Sequence, residues 1–190
     1  SYVETQNLLD ELPNEHQKLV GEVVPNQISV GGIQRVLQNL LNERVSIRDL
    51  PTILEGISEA CAFTRNVTQL TEHVRSRLAR QISEQNSTED NFIPLVTLSA
   101  EWEQIFSDSI VDQGEDKQLS MAPSQLQRFI GAVRTTLDEL ADKEDPPVVL
   151  TSPTARPFVR SIIERFRPTT SIMSQNELHP KAKIKTLGQI

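Results

Sequence analysis

Residues 83–98 read SEQNSTEDNFIPLVTL, and the change of character at Phe92 decides the fold. Nine polar residues without a large apolar side chain close one pattern, and Phe92, Ile93, Leu95, Val96 and Leu98 open another. A short apolar run bounded by turn-forming residues suits a strand buried on both faces. Upstream, apolar residues recur at helical spacing. Downstream, short apolar runs alternate with helical stripes. The expectation is an α+β chain: an all-helical subdomain over residues 1–84, then a small α/β subdomain over residues 85–190 with a mixed sheet covered by helices.

Working upstream, Leu8, Leu9 and Leu12 close a first helix that Pro13 stops. A short amphipathic segment around Leu19 and Val20 ends before Pro25. Ser29 is positioned to cap a helix with the stripe Ile33, Val36, Leu37, Leu40 and Leu41. Gly31 and Gly32 in its first turn lack the lysine and further glycines of a phosphate loop. Ser46, followed three residues later by Asp49, reads as a near capping box for a helix carrying Ile47, Leu50, Ile53, Leu54, Ile57 and Cys61. Pro51 falls in its first turn, where a missing N–H costs least. Asn66 reads as the cap of one long helix with Val67, Leu70, Val74, Leu78 and Ile82 buried, and Arg75, Arg77 and Arg80 facing water.

Downstream of the first strand, Ser99 caps a helix with Trp102, Ile105, Phe106 and Ile110, and residues 112–120 (DQGEDKQLS) read as a polar loop. A long helix starts near Pro123 and buries Leu126, Phe129, Ile130, Val133, Leu137 and Leu140. Val148, Val149 and Leu150 form a second strand. Pro153 leads into a helix with Phe158, Val159, Ile162, Ile163 and Phe166, stopped by Pro168. Residues 171–173 and 182–190 read as two further strands. In the last, Lys181, Lys183 and Lys185 alternate onto one face, while Ala182 and Ile184 take the other. A central strand could not hold three unpaired ammonium groups, so this strand belongs at a sheet edge.

The apolar fraction is 37%, and no stretch approaches the roughly 20 apolar residues a membrane span needs. The chain opens at Ser1 without Met and without a basic, apolar leader, which reads as a trimmed piece with no signal peptide. The single Cys61 excludes an internal disulfide framework and reads as a small core residue. A formal charge of −7 argues against a general nucleic-acid binder. That charge is uneven: residues 153–190 carry +5 and residues 1–152 carry −12. Arg156, Arg160, Arg167, Lys181, Lys183 and Lys185 are therefore the candidate basic, partner-facing surface. An ordinary solvated face is the other reading of the same residues.

The residues point to no catalytic, cofactor or metal site. His16, His73 and His179 are far apart, and none has a second ligand at zinc-site spacing. Cys61 has no histidine close in sequence, and there is neither a nucleophile elbow nor a glycine-rich dinucleotide turn. Glu139, Asp142, Glu144 and Asp145 cluster at a helix end, where they oppose the dipole and read as solvated surface.

Several blocks together resemble one family. VLQNLLN (36–42), VSIRDLPTILE (45–55), LTEHVRSRLARQI (70–82) and HPKAKIKTLGQI (179–190) are similar to the FlhA/LcrD family of type III secretion export-gate proteins. TQNLLD (5–10) and PVVLTSPTARP (147–157) fall in the same order. The resemblance implies a parent with a membrane-embedded amino-terminal half and a cytoplasmic part of four subdomains, of which this chain is similar to the last two. It implies a location on the cytoplasmic face of the bacterial inner membrane and ring assembly with other copies of the same subunit. It also implies partners among export chaperones with their cargo and other export-apparatus proteins, the main chaperone groove lying outside this stretch. It carries over no catalytic residue and no cofactor. Residues 61–82 resemble the flagellar branch more than the virulence injectisomes. The injectisome module and a small α/β enzyme or regulator with a helical appendage are the alternatives, and a deep pocket of convergent polar groups would favour the enzyme.

Overall fold

The computed structural model describes residues 1–142 and 145–190. The chain divides into two compact units, Ser1–Leu78 and Ala79–Ile190, so the division falls ahead of the polar stretch 83–91.

The first unit is helical. α1 (Tyr2–Asp10) and α2 (Asn14–Val23) flank Pro13, and α3 (Val30–Asn42) is capped by Ser29, whose hydroxyl accepts from Gly32 N. α4 (Leu50–Ala60) begins later than the Ser46 reading expects. Asp49 is its cap, accepting from Thr52 N at 3.3 Å and Thr52 Oγ1 at 2.7 Å. The Ser46 hydroxyl accepts from Arg48 N in the approach to the helix. Asn66 caps α5 (Val67–Arg77) as expected. The core joins Ile33, Val36, Leu40, Ile53, Ile57, Leu70 and Val74, each at most 1% exposed.

α5 ends at Leu78 instead of running on to Ile82, and α6 (Ala79–Gln85) belongs to the second unit. Arg75 does not face water. It is 2% exposed and reaches Glu43 at 3.8 Å. Cys61 is buried and free, its thiol directed at the Gln27 carbonyl at 3.7 Å.

In the second unit, β1 (Phe92–Thr97), β4 (Val148–Thr151), β5 (Ile172–Ser174) and β6 (Lys183–Gln189) form a four-stranded sheet in the order β5-β4-β1-β6, every pairing parallel. β1, β4 and β5 are buried along their middles, as strands covered on both faces must be. Pro94 is tolerated in β1 because pairing to β4 starts only at Leu95. Antiparallel pairing is confined to β2 (Ile110–Gln113) and β3 (Asp116–Leu119), a hairpin in the stretch that reads as a polar loop. Gly114 (φ +69) lies in its turn, where a side chain would be strained.

α7 (Ala100–Ser109), capped by Ser99, and α8 (Pro123–Glu139) cover the sheet with α9 (Arg156–Ile163). Phe129 lies edge-on to Trp102 at 5.1 Å and to Phe106 at 4.9 Å. Of the acidic cluster, Glu144 lies outside the described residues. The α+β arrangement is as expected. Among the described residues no helix is long and apolar enough to cross a membrane.

Candidate functional site

The six candidate cations do not form one surface. Arg156, in the first turn of α9, is 1% exposed and therefore cannot face a partner. Its guanidinium donates to the Ile172 carbonyl at 2.8 Å and lies 3.6 Å from Glu177, itself 1% exposed. Glu177 also accepts from Ser174 N at 3.1 Å, so the buried charges are paired and hydrogen-bonded, the condition under which burial is tolerated. The reason lies in topology: residues 175–182 carry the chain from one edge strand to the other, and Glu177 is buried on the way. Arg160 pairs with Glu164 one turn along, and Arg167 pairs with Asp138 of α8. Both are neutralised by these carboxylates.

The lysines are different. Lys183 and Lys185 lie on β6, which is an edge strand, and Lys181 lies in the turn before it. Lys183, Ile184, Lys185 and Thr186 are all exposed, so water reaches both faces of the strand here. The Lys185 ammonium is 5.3 Å from the Phe92 ring centroid, a cation–π contact with the neighbouring strand. Neither Lys181 nor Lys183 pairs with a carboxylate among the described residues.

Lys181 and Lys183 share an open cleft of about 370 Å³ with Arg80, Ser83, Glu84 and His179. Ser83 builds it. Its hydroxyl, 94 residues away in sequence, donates to the Glu177 carbonyl at 2.9 Å and accepts from His179 N at 2.9 Å. That pins α6 beside the start of β6. His179 Nδ1 in turn accepts from Lys181 N at 3.1 Å. Serine and histidine thus lie close together, yet both are bonded to backbone and are not paired as nucleophile and base. The cleft offers donors for an anion. Arg80 reads from the sequence as a water-facing cation and His179 as an isolated histidine, and no local pattern brings them together, because none places α6 next to the last strand.

One other charged cluster shifts an ionisation. His73 and Arg77 on α5 hold Glu59 of α4, at 3.0 and 2.8 Å, and Arg77 also reaches Glu55 at 3.0 Å. The hydrogen bond from His73, then that from Arg77, lowers the Glu59 carboxyl below its ordinary value. The two carboxylates raise Arg77. This knot is water-facing and ties two helices together. No group of three or more His, Cys, Asp or Glu among the described residues could hold a metal ion.

The profile of the FHIPEP family matches residues 1–183. The chain is 54% identical over 190 residues to the flagellar biosynthesis protein FlhA of Caulobacter vibrioides, covering 100% of this chain and 27% of that protein. Against the C-terminal domain of InvA it superposes with a TM-score of 0.91 at 28% identity, over 100% of this chain and 57% of that one. Against nonameric EPEC SctV-C the TM-score is 0.87 at 27% identity, over 100% and 57%. The chain thus spans about a quarter of the length of the curated relatives it matches.

Proposed function

Because this chain belongs to the FHIPEP family, we propose that it is the last part of the cytoplasmic region of a flagellar export-gate protein, a docking and ring-forming module that performs no catalysis. The observation that carries this reading is the 54% identity running through all 190 residues to a protein of flagellar biosynthesis. It also favours the flagellar apparatus over the virulence injectisome. Ring formation draws support from the likeness to a nonameric cytoplasmic domain. On this reading the membrane-embedded half and the main groove for chaperones and cargo lie in the rest of the protein, at the cytoplasmic face of the inner membrane. This module supplies contacts to neighbouring copies and to other export-apparatus proteins. Water-facing cations on a strand edge suit docking better than bond-making, since none lies beside an activated nucleophile. Lys181, Lys183 and Lys185 are the partner-facing residues, while Arg160 and Arg167 are taken up by ion pairs within the unit.

The test is a chimera. The Caulobacter FlhA would receive these 190 residues in place of its own matching stretch, in a strain lacking the native protein. The expected outcome is restored flagellin secretion and at least partial swimming. Normal protein levels with no secretion would overturn the flagellar reading. Secretion restored only when the same stretch is placed in an injectisome export gate would transfer the assignment to that branch.

A further inference from the structure

We propose that the open edge of β6 docks an acidic, extended segment of a partner protein, which adds a strand beside Lys183–Thr186 and sets carboxylates against Lys181 and Lys183. The inference deepens the docking reading by naming the chemistry of the partner, and it rests on that reading only for the choice of surface.

Three observations converge. First, β6 ends the sheet, with β1 as its strand neighbour, and four consecutive residues from Lys183 to Thr186 are exposed, so water reaches both faces of that stretch. An open edge presents unpaired N–H and C=O groups, and an extended peptide satisfies them by continuing the sheet. Second, the charge left without an opposite partner beside that edge is positive. Lys181 and Lys183 lack carboxylate partners among the described residues, and the one carboxylate lining the cleft, Glu84, is engaged by Arg80 at 3.4 Å on the same helix. Third, the face opposite the lysines carries Ile184, 53% exposed, which an alternating acidic and apolar segment would cover.

The same charges decide between occupants. A second copy of the chain pairing β6 to β6 would bring lysine against lysine, so the edge repels itself. Lysines that only guard an edge need no cleft. Here Ser83 anchors α6 so that Arg80 and Lys183 line one.

The experiment uses the 190-residue chain and a capped, fluorescently labelled peptide alternating glutamate with valine. Two controls carry the same labels: one of equal charge with prolines at its centre, and one with lysine for glutamate. Anisotropy should show binding of the acidic peptide that weakens with salt. Binding should weaken at least about tenfold in a Lys181→Glu, Lys183→Glu, Lys185→Glu variant, since each exposed pair supplies a factor of a few. Amide exchange at Ile184 and Thr186 should slow in the complex. A milder Lys183→Gln, Lys185→Gln pair, checked for unchanged circular dichroism, covers misfolding of the triple variant and should give an intermediate loss. No binding by the acidic peptide overturns the proposal. So does equal binding of the proline peptide, which would reduce the site to a basic patch. Exchange protection elsewhere in the chain, or dimers of the chain through β6, overturns it as well. The export-gate reading stands or falls on the chimera instead.

Discussion

At the scale of single residues, two acceptors three positions apart compete for one helix start, and the backbone chooses between them. Asp49 directly precedes α4 and bonds both Thr52 N and Thr52 Oγ1, whereas Ser46 bonds Arg48 N outside the helix. Asp49→Ala should therefore destabilise the first unit by about 0.5–2 kcal/mol. Ser46→Ala should stay within about 0.5 kcal/mol, as surface changes usually do. Urea midpoints for the two variants measure the difference, and a larger effect at Ser46 would return the cap to it. Glu59 supplies a dependence on pH. Its folded-state carboxyl is lowered, so its contribution is fully present above the ordinary glutamate value of about 4.3 and is lost as the pH falls through its lower folded value. Glu59→Gln should accordingly reduce stability at neutral pH, and the loss should fade as the pH drops below the ordinary glutamate range and through the lowered folded value. The effect should be small and should shrink in salt, because the side chain is 49% exposed. An equal loss at neutral and at acid pH would mean that the carboxylate's charge is irrelevant.

At the scale of elements, what was legible in the sequence is what depends on near neighbours. Ser29, Asn66 and Ser99 each accept from an N–H three residues on, and the stripes of α3, α4 and α8 are local periodicities. Three features were hidden for physical reasons. Val74, Leu78 and Ile82 keep helical spacing through the break between α5 and α6, so the apolar stripe does not register it. The β2–β3 hairpin has exposed, charged strands, and strand alternation shows only where one face is buried. Arg156 reads as a surface cation because the carboxylate that permits its burial, Glu177, is 21 residues away in sequence, just beyond β5. The edge position of β6 was legible because alternating lysines, of which Lys183 and Lys185 lie on the strand itself, cannot sit unpaired in a sheet centre. The cleft beside it was not, since Ser83 meets it only through the fold. Close packing of α4 on α5 yields a prediction at this scale. A Cβ on Gly56 would lie 3.3 Å from Val74 Cα and 3.2 Å from its Cγ2. Backbone yields less readily than a side-chain tip, so Gly56→Val should cost about 1–3 kcal/mol despite its better helix propensity. An unchanged melting midpoint would show that the two helices can separate freely.

At the scale of the whole molecule, the two compact units carry different spectroscopic reporters. Trp102, the single tryptophan, packs against Phe129 in the second unit, while the first unit is helical and has no tryptophan. Far-UV circular dichroism therefore sees both units, and tryptophan emission sees one. Each unit has its own core, and two-state behaviour holds for single domains more reliably than for chains with two. Gly56→Val and Asp49→Ala lie in the first unit, so each should move the circular dichroism transition to lower urea and leave the Trp102 midpoint in place. A substitution at Phe129, which removes the edge contacts to Trp102 and Phe106, should do the reverse, moving the emission midpoint and only part of the dichroism. Phe129→Ala removes a fully buried ring and should cost about 3–5 kcal/mol. Coincident shifts of both probes in all three variants would mean that the chain unfolds as one cooperative body.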